Sequence, residues 1–249
     1  MISQNRVKQI QSLKTKKGRK KENLFMIEGA RCVQSYLKKS KLIKELFISE
    51  TFAKTNKKFL KSCEKYNTAY SIVTDKDMKN ISDTKTPSGI AGICAFKPNP
   101  GLDFESKRWL YLYEISDPGN LGSLLRSAAW FNIKNIALSK NSADPFNPKV
   151  IRSATGAHIY LNIHQDIEYE IFLDHGYCSI GTDQNGTQKI EDLDYDLKLV
   201  LILGSEARGL DTSVKKRLNK IISIEKLGYG ESLNVAIAGS ILMNGIAKK

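Results

Sequence analysis

The chain has 249 residues, 41% of them hydrophobic, long enough to bury a core in one large or two smaller globular domains. Its net charge of +13 lies in the first hundred residues, where 22 Lys and Arg face 8 Asp and Glu, a surplus of 14; the remainder carries 17 against 18. No run approaches the ~18 consecutive apolar residues of a membrane span, and the N-terminus lacks the apolar stretch of a secretory signal, which argues against a membrane protein and predicts a soluble, cytoplasmic one.

The first elements in chain order are a helix near Asn5–Leu13 and then the densest basic run, KTKKGRKK from Lys14 to Lys21. Polyanion binding through Lys16, Lys17, Arg19 and Lys20 and a solvated tail are both open for the run alone. An excess spread over a hundred residues favours nucleic acid, because each neutralised phosphate releases condensed counterions. The pattern then predicts strand Leu24–Ile27, helix Ala30–Lys38, strand Glu45–Ile48, helix Lys54–Tyr66, strand Ala69–Val73, a short helix near Lys76–Ile81 and strand Ile90–Phe96. These make a small N-terminal α/β domain over residues 1–96, followed by a linker at 97–104 built on KPNPG.

The second domain, 105–249, alternates more cleanly. Strand Trp109–Ile115 is followed by helix Leu121–Phe131, strand Asn135–Leu138 and a helix from Pro148, where proline suits the first turn. Strands Ile159–Ile163, Cys178–Thr182, Lys198–Leu203 and Ile221–Ile224 follow, with helices near Ile167–Leu173, Thr212–Leu218 and Leu233–Ile246. Apolar strands alternating with helices predict a parallel sheet covered on both faces.

Three glycine-bearing loops fall where strands give way to helices: DPGNLGSLLRSA from Asp117, GSEARGL from Gly204 and GYGESLNVA from Gly228. Ligands bind at the carboxyl ends of strands in open α/β sheets, so three such loops predict one composite pocket. None completes the GxGxxG of a dinucleotide site. Gly204 and Gly209 have phosphate-loop spacing, but Leu210 and Asp211 stand where Lys and Ser/Thr are needed. The cysteines Cys32, Cys63, Cys94 and Cys178 form no CxxC pair, and His158, His164 and His175 lie outside the loops without ligand spacing, so no metal is expected. What remains is a pocket of backbone amides and a few fixed polar groups, Asn120, Arg126, Glu206, Ser232 and Asn234. It suits the alignment of two substrates, as in methyl transfer from S-adenosylmethionine.

With these residues in order, the chain resembles the SpoU (TrmH-type) branch of the SPOUT RNA methyltransferases. Asn120 and Arg126 match the first signature motif, Glu206 in LILGSEARGL the second, and Ser232 and Asn234 in IEKLGYGESLNVAIA the third. NPKVIRSATGA, from Asn147 to Ala157, also follows the family pattern and adds Arg152 to the expected RNA contacts. The likeness is strong over about 105–249 and weaker over 5–95, where it is to the family's N-terminal substrate-binding domain. One departure is Glu225–Lys226, where the family usually has Pro-Met after the isoleucine, which removes a proline that fixes the backbone entering the third loop.

The resemblance implies a deep trefoil knot and an S-adenosylmethionine site formed by Thr182, Leu203, Gly204, Gly209, Ile224 and Leu233. It implies catalytic roles for Arg126, Asn120, Ser232, Asn234 and Glu206, with Asn120 orienting Arg126 or RNA and Ser232 capping the last helix. Arg126 either takes the proton of a ribose 2′-hydroxyl or, charged, stabilises the developing alkoxide. A homodimer through the C-terminal domain is also implied, with the final helix in the interface. The two-domain layout points to ribosomal RNA as substrate, with transfer RNA the alternative. An RNA-binding knotted module without catalysis and a base-directed RNA methyltransferase are the competing classes.

Overall fold

A computed structural model describes residues 2–98 and 100–247. The chain forms two compact units, one of Met1–Pro98 with Asp144–Ile159 and one of Asn99–Ala143 with Tyr160–Lys249.

The first unit is built on a four-stranded mixed sheet in the order β1-β4-β2-β3, from β1 (Leu24–Glu28), β2 (Ile43–Ser49), β3 (Ser71–Val73) and β4 (Ile90–Ala95). β4 runs antiparallel to β1 and β2, while β2 and β3 are parallel. Alternation along the strands sends Met26, Phe47, Val73, Ala91 and Ile93 to one face. There they meet Ile10 and Leu13, in and just after α1 (Gln4–Ser12), and Met78 and Ile81 of α6 (Asp75–Ile81). Phe25, Ile27, Leu46, Ile48, Ile90 and Cys94 point to the other face, against α3 (Ala30–Leu37) and α5 (Lys57–Lys65).

That second face also receives α8 (Pro148–Ala154). The sequence pattern keeps these residues with the second domain, but Phe146 packs on Phe25 and Phe96 at centroid distances of 5.1 and 4.7 Å, and Ile151 and Ile159 complete the core. Gly156, at φ +87°, lies so close to Ser35 that a Cβ there would sit 2.7 Å from the serine Cβ.

Two further expectations change here. The single helix predicted over Lys54–Tyr66 is two, α4 (Glu50–Thr55) and α5, broken at Asn56, whose side chain donates to the Phe52 carbonyl at 3.1 Å and competes with the helix ladder. The basic run, in turn, is no loose tail. Lys16–Glu22 forms α2, capped by Thr15, with Gly18 packed so tightly on Ser12 that a Cβ would lie 2.0 Å from its carbonyl oxygen.

The second unit carries six parallel strands in the order β10-β8-β9-β5-β6-β7. These are β5 (Arg108–Leu112), β6 (Asn135–Leu138), β7 (Asn162–His164), β8 (Cys178–Thr182), β9 (Leu199–Leu203) and β10 (Lys220–Ile222). β9, LVLIL, is buried along its whole length, as a central strand covered on both faces must be. The strand expected over Ile159–Ile163 starts later, because Thr155 and Gly156 at positive φ lead into a tight turn over Ala157–Tyr160. α7 (Pro118–Trp130), α9 (Glu170–Asp174), α10 (Thr212–Lys215) and α11 (Val235–Ala247) complete the unit. α11 lies against α7 and the 190–192 turn: a Cβ on Gly239 would meet Leu124 and Leu203, one on Gly245 would meet Ile190, and Ser127 and Ser240 share a 2.7 Å hydrogen bond.

Candidate active site

Parallel strands end on one edge, so the loops after β5, β8, β9 and β10, four adjacent strands, are neighbours. The first motif starts α7, with Pro118 in its first turn and the Asp117 carboxylate accepting from the Asn120 backbone N–H at 2.8 Å. Asp117 is therefore the helix cap, which leaves the Asn120 side chain for other work.

That side chain joins all three motifs. Its Nδ2 donates to Glu206 Oε1 at 3.0 Å, and its Oδ1 accepts from Asn234 Nδ2 at 3.0 Å. An ionised carboxylate only accepts, so the amide of Asn120 is held with its nitrogen toward Glu206 and its oxygen toward Asn234. Glu206 also faces the backbone N–H groups of Ser116 and Asp117 at 3.5 and 3.4 Å. Asn234 uses its Oδ1 to cap α11, accepting from Ala236 N at 2.9 Å and Ile237 N at 3.3 Å. Ser232 is thus not the cap expected of it; it is exposed in the preceding loop.

Arg126 is exposed on α7, and among the described residues no hydrogen bond or ion pair holds it. It follows Asn120 by six residues, about 240° further round the helix, so Asn120 does not orient it within one chain.

The GSEARGL loop closes on itself. Ser205 N donates to Gly209 O at 3.0 Å and Gly209 N to Ser205 O at 2.9 Å, and a Cβ on Gly204 would stand 2.2 Å from the Gly209 carbonyl carbon. The close approach that Gly204 allows is therefore to Gly209 itself, which at φ +65° makes the turn. Leu203 is buried against α11, so only its main chain can face a ligand; Thr182 and Ile224 are half-buried and Leu233 is exposed.

Two contacts that the motifs do not announce brace this edge. Tyr113, just after β5, donates to Asp211 Oδ2 at 2.7 Å, and that carboxylate, with burial, pushes the phenol pKa well up. Lys215 of α10 pairs with Asp183, and its hydrogen bond holds the Asp183 carboxyl below the usual range. A tyrosine ending the apolar run WLYLYEI is the one sequence signal for the first; nothing in the sequence marks the second.

The expected RNA contacts separate in the first unit. Lys16, Lys17 and Lys20 are exposed on α2. Arg19 is 3% exposed and donates to Leu13 O at 2.7 Å and Asp144 Oδ2 at 2.5 Å, so the expectation that it meets phosphate is corrected: it anchors α2. Arg152 is likewise committed, to Asp83 Oδ2 at 2.8 Å, beside Glu28, whose carboxyl is pushed up by burial. Among the described residues, no group of His, Cys, Asp and Glu is placed to hold a metal, and no helix is long and apolar enough to cross a membrane.

The model of the SpoU rRNA Methylase family matches residues 107–244, more than half the chain. The chain belongs to that family. Residues 4–92 match the MRM3-like substrate binding domain. Among curated relatives, the 23S rRNA (guanosine(2553)-2′-O)-methyltransferase RlmP of Bacillus subtilis is 29% identical over 242 residues, 96% of this chain and 94% of that protein. Mitochondrial rRNA methyltransferase 3 of Mus musculus is 32% identical over 171 residues, 66% of this chain and 40% of its own. Among solved structures, a putative TrmH-family RNA methyltransferase from Porphyromonas gingivalis superposes with a TM-score of 0.82 at 28% identity, covering 98% of each chain. An AdoMet-bound rRNA methyltransferase from Sinorhizobium meliloti shares the fold at a TM-score of 0.79 and 24% identity, covering 99% of this chain and 96% of its own. In this SpoU chain the three family motifs are thus one hydrogen-bonded unit, Glu206–Asn120–Asn234, with Arg126 apart on the helix surface.

Proposed function

We propose that this SpoU-family chain methylates a ribose 2′-hydroxyl in RNA, with ribosomal RNA the substrate and S-adenosylmethionine the methyl donor. The observation that carries the reading is the Asn234–Asn120–Glu206 chain, which fixes three loops from different parts of the sequence at one sheet edge. Near-end-to-end similarity to RlmP, a 2′-O-methyltransferase of 23S rRNA by name, supports the ribose and the ribosomal substrate. Proteins of this fold carry AdoMet in solved structures.

The residues fit the cofactor. Nothing lies within 4 Å of where a Cβ would stand on Gly228 or Gly230, so the chain is open there, and Leu227 and Leu233 offer exposed apolar surface to a nucleoside and thioether. Main-chain groups at Thr182, Leu203, Gly204, Ile224 and Leu233 would hold it, with Gly209 shaping the loop. The bound cofactor supplies a methyl group on a sulfonium, already a reactive donor.

The protein's part is placement and charge. Asn120, Glu206, Asn234 and Ser232 set the loops against which the ribose is aligned, which is where most of the acceleration of such a transfer comes from. Arg126 meets the acceptor as a cation, and its N–H donors stabilise the negative charge on the 2′-oxygen as the hydroxyl proton passes to solvent water. The lysines of α2 hold the RNA backbone. The deep knot is part of the proposal, supported by α11 lying between α7 and the 190–192 turn that joins β8 to β9. So is a homodimer, supported by Trp130 on α7 and Ile237 and Ile241 on α11, all exposed beside the Ser127–Ser240 seam. A cytoplasmic site of action is part of the proposal.

The test is to incubate the protein with S-adenosylmethionine and ribosomal RNA, digest the RNA to nucleosides and identify the methylated ones by mass spectrometry. A 2′-O-methylnucleoside is expected. Methyl groups only on bases, or none on any RNA, would sink the reading.

A further inference from the structure

α5 holds a second basic surface, separate from the α2 run and outside every motif. With about 100° between successive helix residues, Lys57, Lys61, Lys65 and Lys58 fall at about 0, 40, 80 and 100°. All four are exposed. Phe59 and Cys63, at about 200 and 240°, are the buried anchors that fix which side faces out. Glu64, at the border of the stripe, is the helix's one acidic residue. Among the described residues none of the four lysine side chains has a carboxylate partner, and Lys65 Nζ lies 5.8 Å over the Tyr66 ring.

We propose that the α5 stripe is an RNA-backbone contact, engaging phosphates of the substrate away from the nucleotide that is methylated. Four like charges held on about two and a half turns of helix repel one another, and an ordinary solvated helix face intersperses acids to relieve that. A polyanion relieves it instead. A lipid surface fits less well, because a helix that lies on a membrane turns its apolar side into it, whereas α5 has Phe59 and Cys63 packed in the core. α5 covers the sheet face opposite α1 and α6, so its lysines extend the basic surface of the first unit onto another layer. Contacts of this kind carry no sequence information; they set affinity and register.

The inference rests on the RNA-methyltransferase reading, and its test separates the two. Binding of a fluorescein-labelled RNA hairpin of arbitrary sequence to the full chain is followed by anisotropy across a salt series. Losing four phosphate contacts lowers the slope of log affinity against log salt by roughly 3, at about 0.7 to 0.9 per contact. The variant Lys57→Gln/Lys58→Gln/Lys61→Gln/Lys65→Gln is expected to show that shallower slope and at least tenfold weaker binding at low salt. The four-fold Lys→Arg variant keeps both, and Lys61→Glu alone weakens binding at least threefold. Unchanged affinity and slope in the Gln variant, or loss only of its binding to phosphatidylserine vesicles, would overturn the α5 assignment while leaving the enzyme reading in place. A wild-type chain that binds no RNA at all overturns both.

Discussion

Asn234 performs two tasks with the two ends of one amide, and substitutions can separate them. Its Oδ1 caps α11 at 2.9 and 3.3 Å, while its Nδ2 holds Asn120 at 3.0 Å. Asn234→Ala removes both: the cap is worth about 1 kcal/mol and the exposed hydrogen bond about 0.5 kcal/mol. At about 2 to 4 °C per kcal/mol for units of this size, the melting midpoint falls by roughly 3 to 6 °C. Asn234→Asp keeps an oxygen at the helix N-terminus, where a carboxylate caps as well as an amide, but it presents an acceptor to the Asn120 oxygen. Its midpoint is therefore expected to fall by no more than about 2 °C, the cost of the lost Asn120 hydrogen bond alone. Methyl transfer falls at least tenfold in both variants. Differential scanning fluorimetry and a methyl-transfer assay on the same preparations decide the matter. An Asp variant of full activity would refute the coupling of the motifs through Asn120, and an Ala variant of unchanged midpoint would refute the capping role.

Other consequences follow from single features. His158 is buried, bonds to the Pro145 carbonyl at 2.7 Å and has no partner for Nδ1; burial lowers its pKa to about 4 from the ordinary 6.5. The unfolded chain therefore binds the proton more readily, so stability is full above pH 6.5 and declines by up to roughly 3 kcal/mol as pH falls toward 4. Urea titrations across that window should show the loss, and a His158→Gln variant of equal slope would contradict it. Arg19→Met leaves Asp144 and the Leu13 carbonyl without their donor. It is expected to destabilise the first unit by about 3 kcal/mol, the lower end for a broken buried pair because Asp144 is partly accessible; an unchanged urea midpoint would show that Arg19 anchors nothing. Trp130→Lys with Ile241→Lys should convert a dimer to a monomer in sedimentation velocity, and a wild-type monomer would remove the interface.

The strands of the second unit were legible because their character is local: NIAL at Asn135–Leu138 and CSIGT at Cys178–Thr182 are found where the apolar runs put them. The motif residues were legible because the reaction demands polar side chains at strand ends, and the structure brings Asn120, Glu206 and Asn234 into contact. What escaped depends on partners far along the chain. Arg19 in KKGRKK reads as a phosphate contact or part of a solvated run until it finds Asp144, 125 residues away. Arg152 reads as a phosphate contact until Asp83 claims it, and α8 belongs to the second half by sequence but to the first unit by its contacts with Phe25 and Phe96. Which of two nearby polar residues caps a helix also lies below the resolution of a pattern. DPGN and SLN each offer two candidates, and Asp117 and Asn234 take the role.

In the proposed reaction Arg126, charged and apart from the three-motif network, acts on the ribose oxygen and not on the folding of the loops. Single-turnover methyl transfer to ribosomal RNA by Arg126→Ala, at saturating S-adenosylmethionine, tests it most directly. The expected result is a rate reduced at least a hundredfold with cofactor affinity and melting midpoint unchanged, about 3 kcal/mol of lost transition-state stabilisation. A variant that transfers methyl groups at the wild-type rate would contradict it.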